Sequence, residues 1–321
     1  MIMYTDIKVG FSCNNQCIHC VIEPIKRGLQ NEGSNIDEDT VTIKHYIDEA
    51  VSMGSKGIVL TGGEVTLRPD FTELIEYAQK KGMFVTVQTN ARMLQEKEKL
   101  KFLYRSDPVQ FVVAIHGAEA EIHDRITRRP GSYQQTIKAI RNLVDCSHAK
   151  VIGKIVISNV NLCHLDSTLR LLNSLDVVDI VLAFPHAEEF PEDVFIQVVP
   201  KYLALRPQLD RVLDTVHNLR MSIVLETIPY CIFPDRPEFW LCSQDIKYCL
   251  SHGKDDTFIR TPGEPTVKHW DITRPEIKKK GAQCQQCLLD HICEGPWHEY
   301  IDHFGTEEFT PFTDPKILKY F

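Results

Sequence analysis

The sequence predicts an α/β fold carried by a parallel sheet. Three observations lead there. Over the first 190 residues, short apolar runs alternate with amphipathic segments. Each run is rich in Val, Ile or Phe and ends in Gly, Asn, Ser or Pro, the mark of a strand buried on both faces. The chain has 321 residues, 43% hydrophobic and 25% charged, enough for one large domain or two modest ones. Strand–helix–strand repetition implies right-handed crossovers. An open doubly wound sheet and a barrel both satisfy the pattern, and both place the ligand site at the carboxyl ends of the strands.

The elements follow in order. "IKVGF" (7–11) is the first strand; "GIVLTGG" (57–63), "FVTVQTN" (84–90), "QFVVAIHG" (110–117), "VIGKIVIS" (151–158) and "VDIVLAFP" (178–185) are the next five. Residues 37–54 open on acidic side chains and stop at Gly54, so they read as a helix with start and stop signals. Residues 70–82 and 131–145 read the same way. After Pro191 a helical stretch runs from about Val194 to Leu219, with breaks expected at Pro200 and Pro207. "MSIVLETIP" (221–229) is one more strand. From Tyr230 the chain reads as irregular and rich in Cys, Pro and aromatic residues. The expected regions are therefore 1–190, a bridge at 191–229, and a small Cys-rich domain at 230–321.

Net charge is −8, without a long basic stripe; "KKK" at 278–280 is short, so nucleic acid is not the expected partner. No apolar run reaches the length of a membrane span, and the N-terminus lacks the pattern of a secretory signal. A cytoplasmic location is expected. In a reducing compartment, eleven cysteines point to metal or redox chemistry rather than to disulfides.

Three of them crowd into "CNNQCIHC" (13–20): Cys13, Cys17 and Cys20. Chance placement of partners at both offsets is expected about 0.01 times in such a chain. Zinc prefers four ligands and cysteines two residues apart, and His19 within the loop is a poor fourth. A cubane held by three thiolates would instead leave one iron open. The loop follows the first strand directly, at the carboxyl end of the sheet. This C-x3-C-x2-C motif resembles the signature of the radical S-adenosylmethionine (radical SAM) enzymes. The resemblance covers about residues 5–190 and implies a partial (β/α)6 barrel. It also implies a [4Fe–4S] cluster whose open iron chelates SAM, and reductive cleavage of SAM to a 5′-deoxyadenosyl radical that abstracts hydrogen from substrate. "LTGGE" resembles the family's GGE motif: Gly62 and Gly63 would let backbone approach the ligand, and Glu64 would accept hydrogen bonds from the methionine ammonium. Thr89 and Asn90, His116, and Lys154, Ser158 and Asn161 end later strands and are the weaker SAM or site candidates. His123 and Asp124 read as loop caps.

"CQQCLLDHICEGPW" brings Cys284, Cys287 and Cys293 together at a metal-site spacing. Zinc is the plain reading of such a spacing. Behind a radical SAM barrel it resembles the SPASM and twitch auxiliary-cluster domains. The full SPASM pattern would place a cysteine where Trp297 stands, so a twitch-like domain with one additional [4Fe–4S] cluster is the better match. Its fourth ligand would come from Cys231, Cys242 or Cys249, with Cys231 favoured because it follows a predicted strand. The expected substrate is a peptide or protein side chain, and the resemblance implies a flavodoxin- or ferredoxin-type electron donor. A small-molecule or cofactor substrate, and a non-enzymatic zinc or iron–sulfur module, are the alternatives.

Overall fold

Nine strands hydrogen-bond into one sheet in the computed structural model, which describes residues 4–243, 257–262 and 267–320. Seven of them, β1 (Tyr4–Lys8), β2 (Gly57–Thr61), β3 (Phe84–Thr89), β4 (Val109–Ala114), β5 (Ala149–Val156), β6 (Asp179–Ala183) and β7 (Ser222–Glu226), lie in space in their sequence order, every adjacent pair parallel. The crossovers carry helices α1 (Ile22–Asn31), α2 (Thr40–Ser52), α3 (Phe71–Lys80), α4 (Ala120–Thr127), α5 (Ser132–Val144), α6 (Leu165–Ser174), α7 (Glu192–Val198) and α8 (Tyr202–Asn218). A doubly wound sheet would reverse its order at a switch point. This one does not reverse, so it is a barrel wall. Among the described residues β7 has no strand partner beyond β6, and the wall stays unclosed.

Two expectations are corrected. Residues 230–321 are not wholly irregular: β8 (Thr257–Arg260) pairs parallel with β1, and β9 (Lys268–His269) pairs antiparallel with β8. "TFIR" is too short and too polar to carry a strand signal, and its pairing is supplied by the free edge of β1. Pro207 does not break its helix. The break falls at Pro200, between α7 and α8, while Pro207 stays inside α8, where it forgoes one backbone hydrogen bond.

The strands are not buried equally on both faces. β1 and β4 alternate buried and half-buried positions along their length, and β7 does so after its exposed first residue, Ser222. Ile7, Leu60, Val87, Phe111, Ile155, Leu182 and Leu225 face the helices and are fully buried. The alternate positions, among them Asp6, Lys8, Gln88, Lys154 and Glu226, line the barrel interior. Helix ends follow local chemistry: the Asp39 carboxylate caps α2 by accepting from Thr42 N at 2.7 Å. The C-terminal segment docks through aromatic rings. Tyr202 stacks on Phe184 at 4.0 Å between centroids and lies 4.6 Å from Tyr300, whose hydroxyl accepts from Tyr202 N at 2.9 Å.

Phe111 sits at the centre of the outward face of β4. Phe111→Ala should destabilise the protein by about 3–5 kcal/mol, read from urea denaturation. A loss below about 1 kcal/mol would mean that this face is not a packed core.

Candidate functional site

The site begins where β1 ends. Asp37 turns the chain there: its Oδ1 accepts from Phe11 N and Ser12 N, each at 2.9 Å, and its Oδ2 from Ser12 Oγ at 2.5 Å. The loop 13–20 is then pinned from outside. Gln16 N and Ile18 N donate to Thr127 O and Ile126 O, both at 2.9 Å, at the end of α4. Arg92 Nη1 donates to Asn14 O at 2.6 Å and to Asn15 Oδ1 at 2.9 Å, and its Nε to Gln135 at 2.6 Å. Nothing in the sequence singled out Arg92. Asp124 caps α5, accepting from Gly131 N, Ser132 Oγ and Tyr133 N, while His123 Nδ1 accepts from His116 N at 3.2 Å.

Gly62 and Gly63 have a use that the sequence did not reveal. A Cβ on Gly62, whose φ is +121°, would meet Gly10 O at 2.2 Å, and one on Gly63 would meet Ser12 O at 2.2 Å. Close approach is needed here, but to the backbone that leads into the cysteine loop. Gly63 N and Glu64 N donate to those same carbonyls at 2.8 Å.

Glu64 is almost wholly buried. Its Oε1 accepts from Thr66 N at 3.1 Å and from Thr66 Oγ1 and Thr89 Oγ1 at 2.5 Å each, while Oε2 accepts from Asn90 N at 2.7 Å. Burial pushes the carboxyl up from its ordinary range, and these donors oppose it. Oε1 is fully used and Oε2 keeps a free lone pair. Asn90 extends the network: its Nδ2 donates to Asn14 Oδ1 at 2.7 Å and lies 3.9 Å from Cys13 Sγ.

A cavity of about 440 Å³ gathers Cys13, Cys17, Cys20, Gly62, Gly63, Glu64, Thr89, Asn90, His116 and Lys154 at the carboxyl ends of the strands. Lys154 Nζ pairs with Glu226 at 2.8 Å across two strands. Ser158 is not part of the lining. It is fully buried, and its N and Oγ meet Asn161 Oδ1 at 2.7 and 3.2 Å. Asn161 in turn donates to His116 O and Val156 O. These two side chains tie loops together instead of facing a ligand.

Burial pushes the Cys13 thiol up to about 11 and raises Cys17 and Cys20 as well. Bound metal reverses that preference, because its charge stabilises thiolate. A single zinc with bonds of about 2.3 Å holds sulfurs no more than about 4.6 Å apart. Among the described residues, the groups whose ligand atoms all fall within 4.8 Å are Cys17–His19–His116 and His186–Glu188–Glu299. Neither the Cys13–Cys17–Cys20 set nor the Cys231–Cys284–Cys287–Cys293 set is one of them. His19, His116 and His123 are all pushed by burial below the usual imidazole range, His19 and His123 to about 4.

A second pocket is lined by Cys231, Cys284, Cys287 and Cys293 together, beside Gly295, Pro296 and Phe312. Phe312 N donates to Cys287 Sγ at 3.4 Å, and burial pushes the Cys231 thiol up to about 12. Cys242 is not among the lining residues, and Cys249 lies outside the described residues. Among the described residues no helix is long and apolar enough to cross a membrane.

Comparison with known proteins fits this geometry. The model of the Radical SAM superfamily matches residues 7–172, just over half of the chain. AdoMet-dependent heme synthase of Methanosarcina barkeri is 32% identical over 167 residues, which are 52% of this chain and 46% of that one. Mycofactocin maturase MftC of Mycobacterium tuberculosis is 33% identical over 164 residues, 51% of this chain and 40% of that one. The chain thus spans less than half the length of these curated relatives. Streptococcus suis SuiB, solved with S-adenosylmethionine, superposes with a TM-score of 0.65 at 14% identity, over 98% of this chain and 77% of that one, and shares the fold.

Glu64→Gln would turn an amide N–H toward a backbone or hydroxyl donor. Leaving such a buried group unmatched costs about 1–3 kcal/mol, so the ligand-free variant should lose stability by that amount in thermal denaturation. Unchanged stability without ligand would show that the network around Glu64 is not what holds the two strand ends together.

Proposed function

This chain belongs to the radical SAM superfamily, whose members use a [4Fe–4S] cluster and SAM, and on that premise we propose that it is an enzyme that cleaves SAM reductively and modifies a peptide or protein side chain. The observation that carries the reading is the convergence of Cys13, Cys17, Cys20, Glu64 and Asn90 on one cavity at the carboxyl ends of parallel strands. When bound, cluster and SAM supply one electron and a 5′-deoxyadenosyl radical. The chain's own residues do the rest. Cys13, Cys17 and Cys20 would hold the cluster, and Arg92 and the end of α4 keep their loop in shape. Glu64 Oε2 and Asn90 would meet the methionine ammonium, a charge-assisted contact. The inward faces of β1, β5 and β7 offer the site paired charges, Lys8 with Asp6 and Lys154 with Glu226. Cys231, Cys284, Cys287 and Cys293 would hold the auxiliary cluster.

A peptide substrate is supported by the relatives named as maturases and by SuiB, solved with its precursor peptide SuiA. It is also supported by space. A further cavity of about 310 Å³ shares Asp6, Lys8, Lys154, Phe184, Glu226 and Trp297 with the first, so an extended segment has a continuous trough. The heme synthase relative favours a second reading, a small-molecule or cofactor substrate. A flavodoxin- or ferredoxin-type protein is the proposed electron donor.

Anaerobically reconstituted protein with dithionite should form 5′-deoxyadenosine, and Cys17→Ala should abolish it; undiminished turnover in that variant would sink the assignment. Modification of a peptide encoded beside this gene, read by mass spectrometry, decides between the two substrate classes. Metal content tests the second pocket. The intact chain should bind about eight irons, and a triple Ala variant at Cys13, Cys17 and Cys20 about four. In that background Cys231→Ala should release the remainder and Cys242→Ala should not. About one zinc and almost no iron in the triple variant would reverse the reading.

A further inference from the structure

A two-electron oxidation of a substrate C–H needs somewhere for a proton to go, and none of the residues assigned so far receives it. We propose that His186, oriented by Glu299, is the catalytic base that takes this proton from the substrate. The inference rests on the enzymatic reading above.

His186 follows β6, at the same carboxyl end of the barrel as the cysteine loop, and lines the same cavity. Its Nε2 lies 3.1 Å from Glu299 Oε1 and 3.7 Å from Glu188 Oε2. Glu299 belongs to the helix His298–Phe304, and its side chain is only 9% exposed. Burial favours the neutral form of that carboxyl, but its hydrogen bond and proximity to His186 prevail and hold it below the usual range. The imidazole also stacks on the Trp297 indole, with centroids 4.1 Å apart and planes 20° apart, so its plane is fixed as well as its direction. With Nε2–H donated to the carboxylate, the lone pair is on Nδ1. That atom makes no hydrogen bond to any described residue, and it is not among the buried polar atoms without a partner. It is therefore a solvent-accessible acceptor on a residue that lines the cavity. A buried carboxylate that fixes the tautomer of a ring is how a histidine becomes a directed base.

Most other basic groups of the cavity are engaged; His19, whose buried Nδ1 has no partner, stands between Cys17 and Cys20 in the loop that would hold the cluster, and Glu23 pairs with Arg27. Asp6 pairs with Lys8 and Glu226 with Lys154. Glu64 accepts four hydrogen bonds, and His116 Nδ1 faces Val156 N at 3.4 Å inside the wall.

The balance is as follows. Joining a substrate C–H carbon to an X–H nucleophile of the same peptide breaks both bonds and forms C–X. The hydrogen atom leaves to the 5′-deoxyadenosyl group and one electron to an acceptor of the iron–sulfur class. The X–H proton passes to His186 Nδ1 and from there to water at the cavity mouth.

Two experiments test this. In reconstituted, substrate-free protein, diethylpyrocarbonate should modify His186, mapped by peptide mass spectrometry, and spare the buried His116 and His123. An unreactive His186 would overturn the proposal. So would tight manganese binding that Glu299→Gln abolishes, because Nε2 and Oε1 would then serve a metal. This arm needs no substrate, so it stands whatever becomes of the peptide reading. With a modified peptide in hand, His186→Asn should lower product yield by about 10²–10⁴-fold, while deuterium from labelled substrate still appears in 5′-deoxyadenosine. Glu299→Gln, which keeps an acceptor, should lose less than Glu299→Ala. Equal loss of deuterium transfer and product in His186→Asn would assign the residue to substrate binding instead.

Discussion

The whole site hangs on one backbone contact, between the residues that end β1 and those that end β2. Gly10 O and Ser12 O accept from Gly63 N and Glu64 N, both at 2.8 Å, and there is no volume between them for a side chain. This carries the parallel pairing past the last formal strand residues and lays the cysteine loop directly on the strand that delivers Glu64. The carboxylate then reaches β3 through Thr89 and Asn90, and Asn90 reaches back to Asn14. Three strand ends and the loop become one hydrogen-bonded unit. Satisfied buried networks of this kind are rigid because each member would be costly to leave unpaired. Rigidity is what a loop of three thiols needs if a cluster is to be held with a vacancy aimed in a chosen direction.

The inner face of the wall obeys the opposite rule. Its side chains are half-buried and paired, Lys8 with Asp6 and Lys154 with Glu226. Charges at this depth are tolerable because they are neutralised locally and still touch the cavity's water. Such pairs can exchange partners with a polar substrate at small cost, whereas the Glu64 network cannot. The barrel thus separates a fixed pole, at the cysteine loop, from an adaptable one, between β1 and β7.

How much of this was legible in the sequence follows from range. The strands, the three long crossover helices and the cysteine motif depend on neighbours within a few residues, and periodicity and spacing report those directly. Cys231 was expected beside Cys284, Cys287 and Cys293 on the ground that it follows a strand directly; it does line their pocket, but β7 stops at Glu226 and Cys231 sits in a short 3-10 turn, Tyr230–Ile232, beyond it. What failed was long-range. β8 is made a strand by β1, some 250 residues away in the chain. Ser158 was placed at a strand end correctly, but which way it points is set by Asn161. Arg92 matters because Asn14 and Asn15 fold beneath it and Gln135 holds its Nε. One signal was present and underused: Asp6 and Lys8, or Thr86 and Gln88, alternate with apolar residues. In strands otherwise read as buried on both faces, that alternation marks a polar lumen.

Trp297 shows what one substitution in a ligand pattern does to the architecture. It stands where a fuller auxiliary-cluster motif would want cysteine, immediately after Gly295 and Pro296 of the second pocket. The indole turns to the main cavity, lines both of its lobes, and donates from Nε1 toward Phe184 O at 3.4 Å. One side of its chemistry is the stack with His186, and Lys278 Nζ lies 3.6 Å from its centroid, a cation–π contact in a desolvated place. The residue therefore becomes cavity wall, four residues of chain beyond Cys293 of the second cysteine pocket.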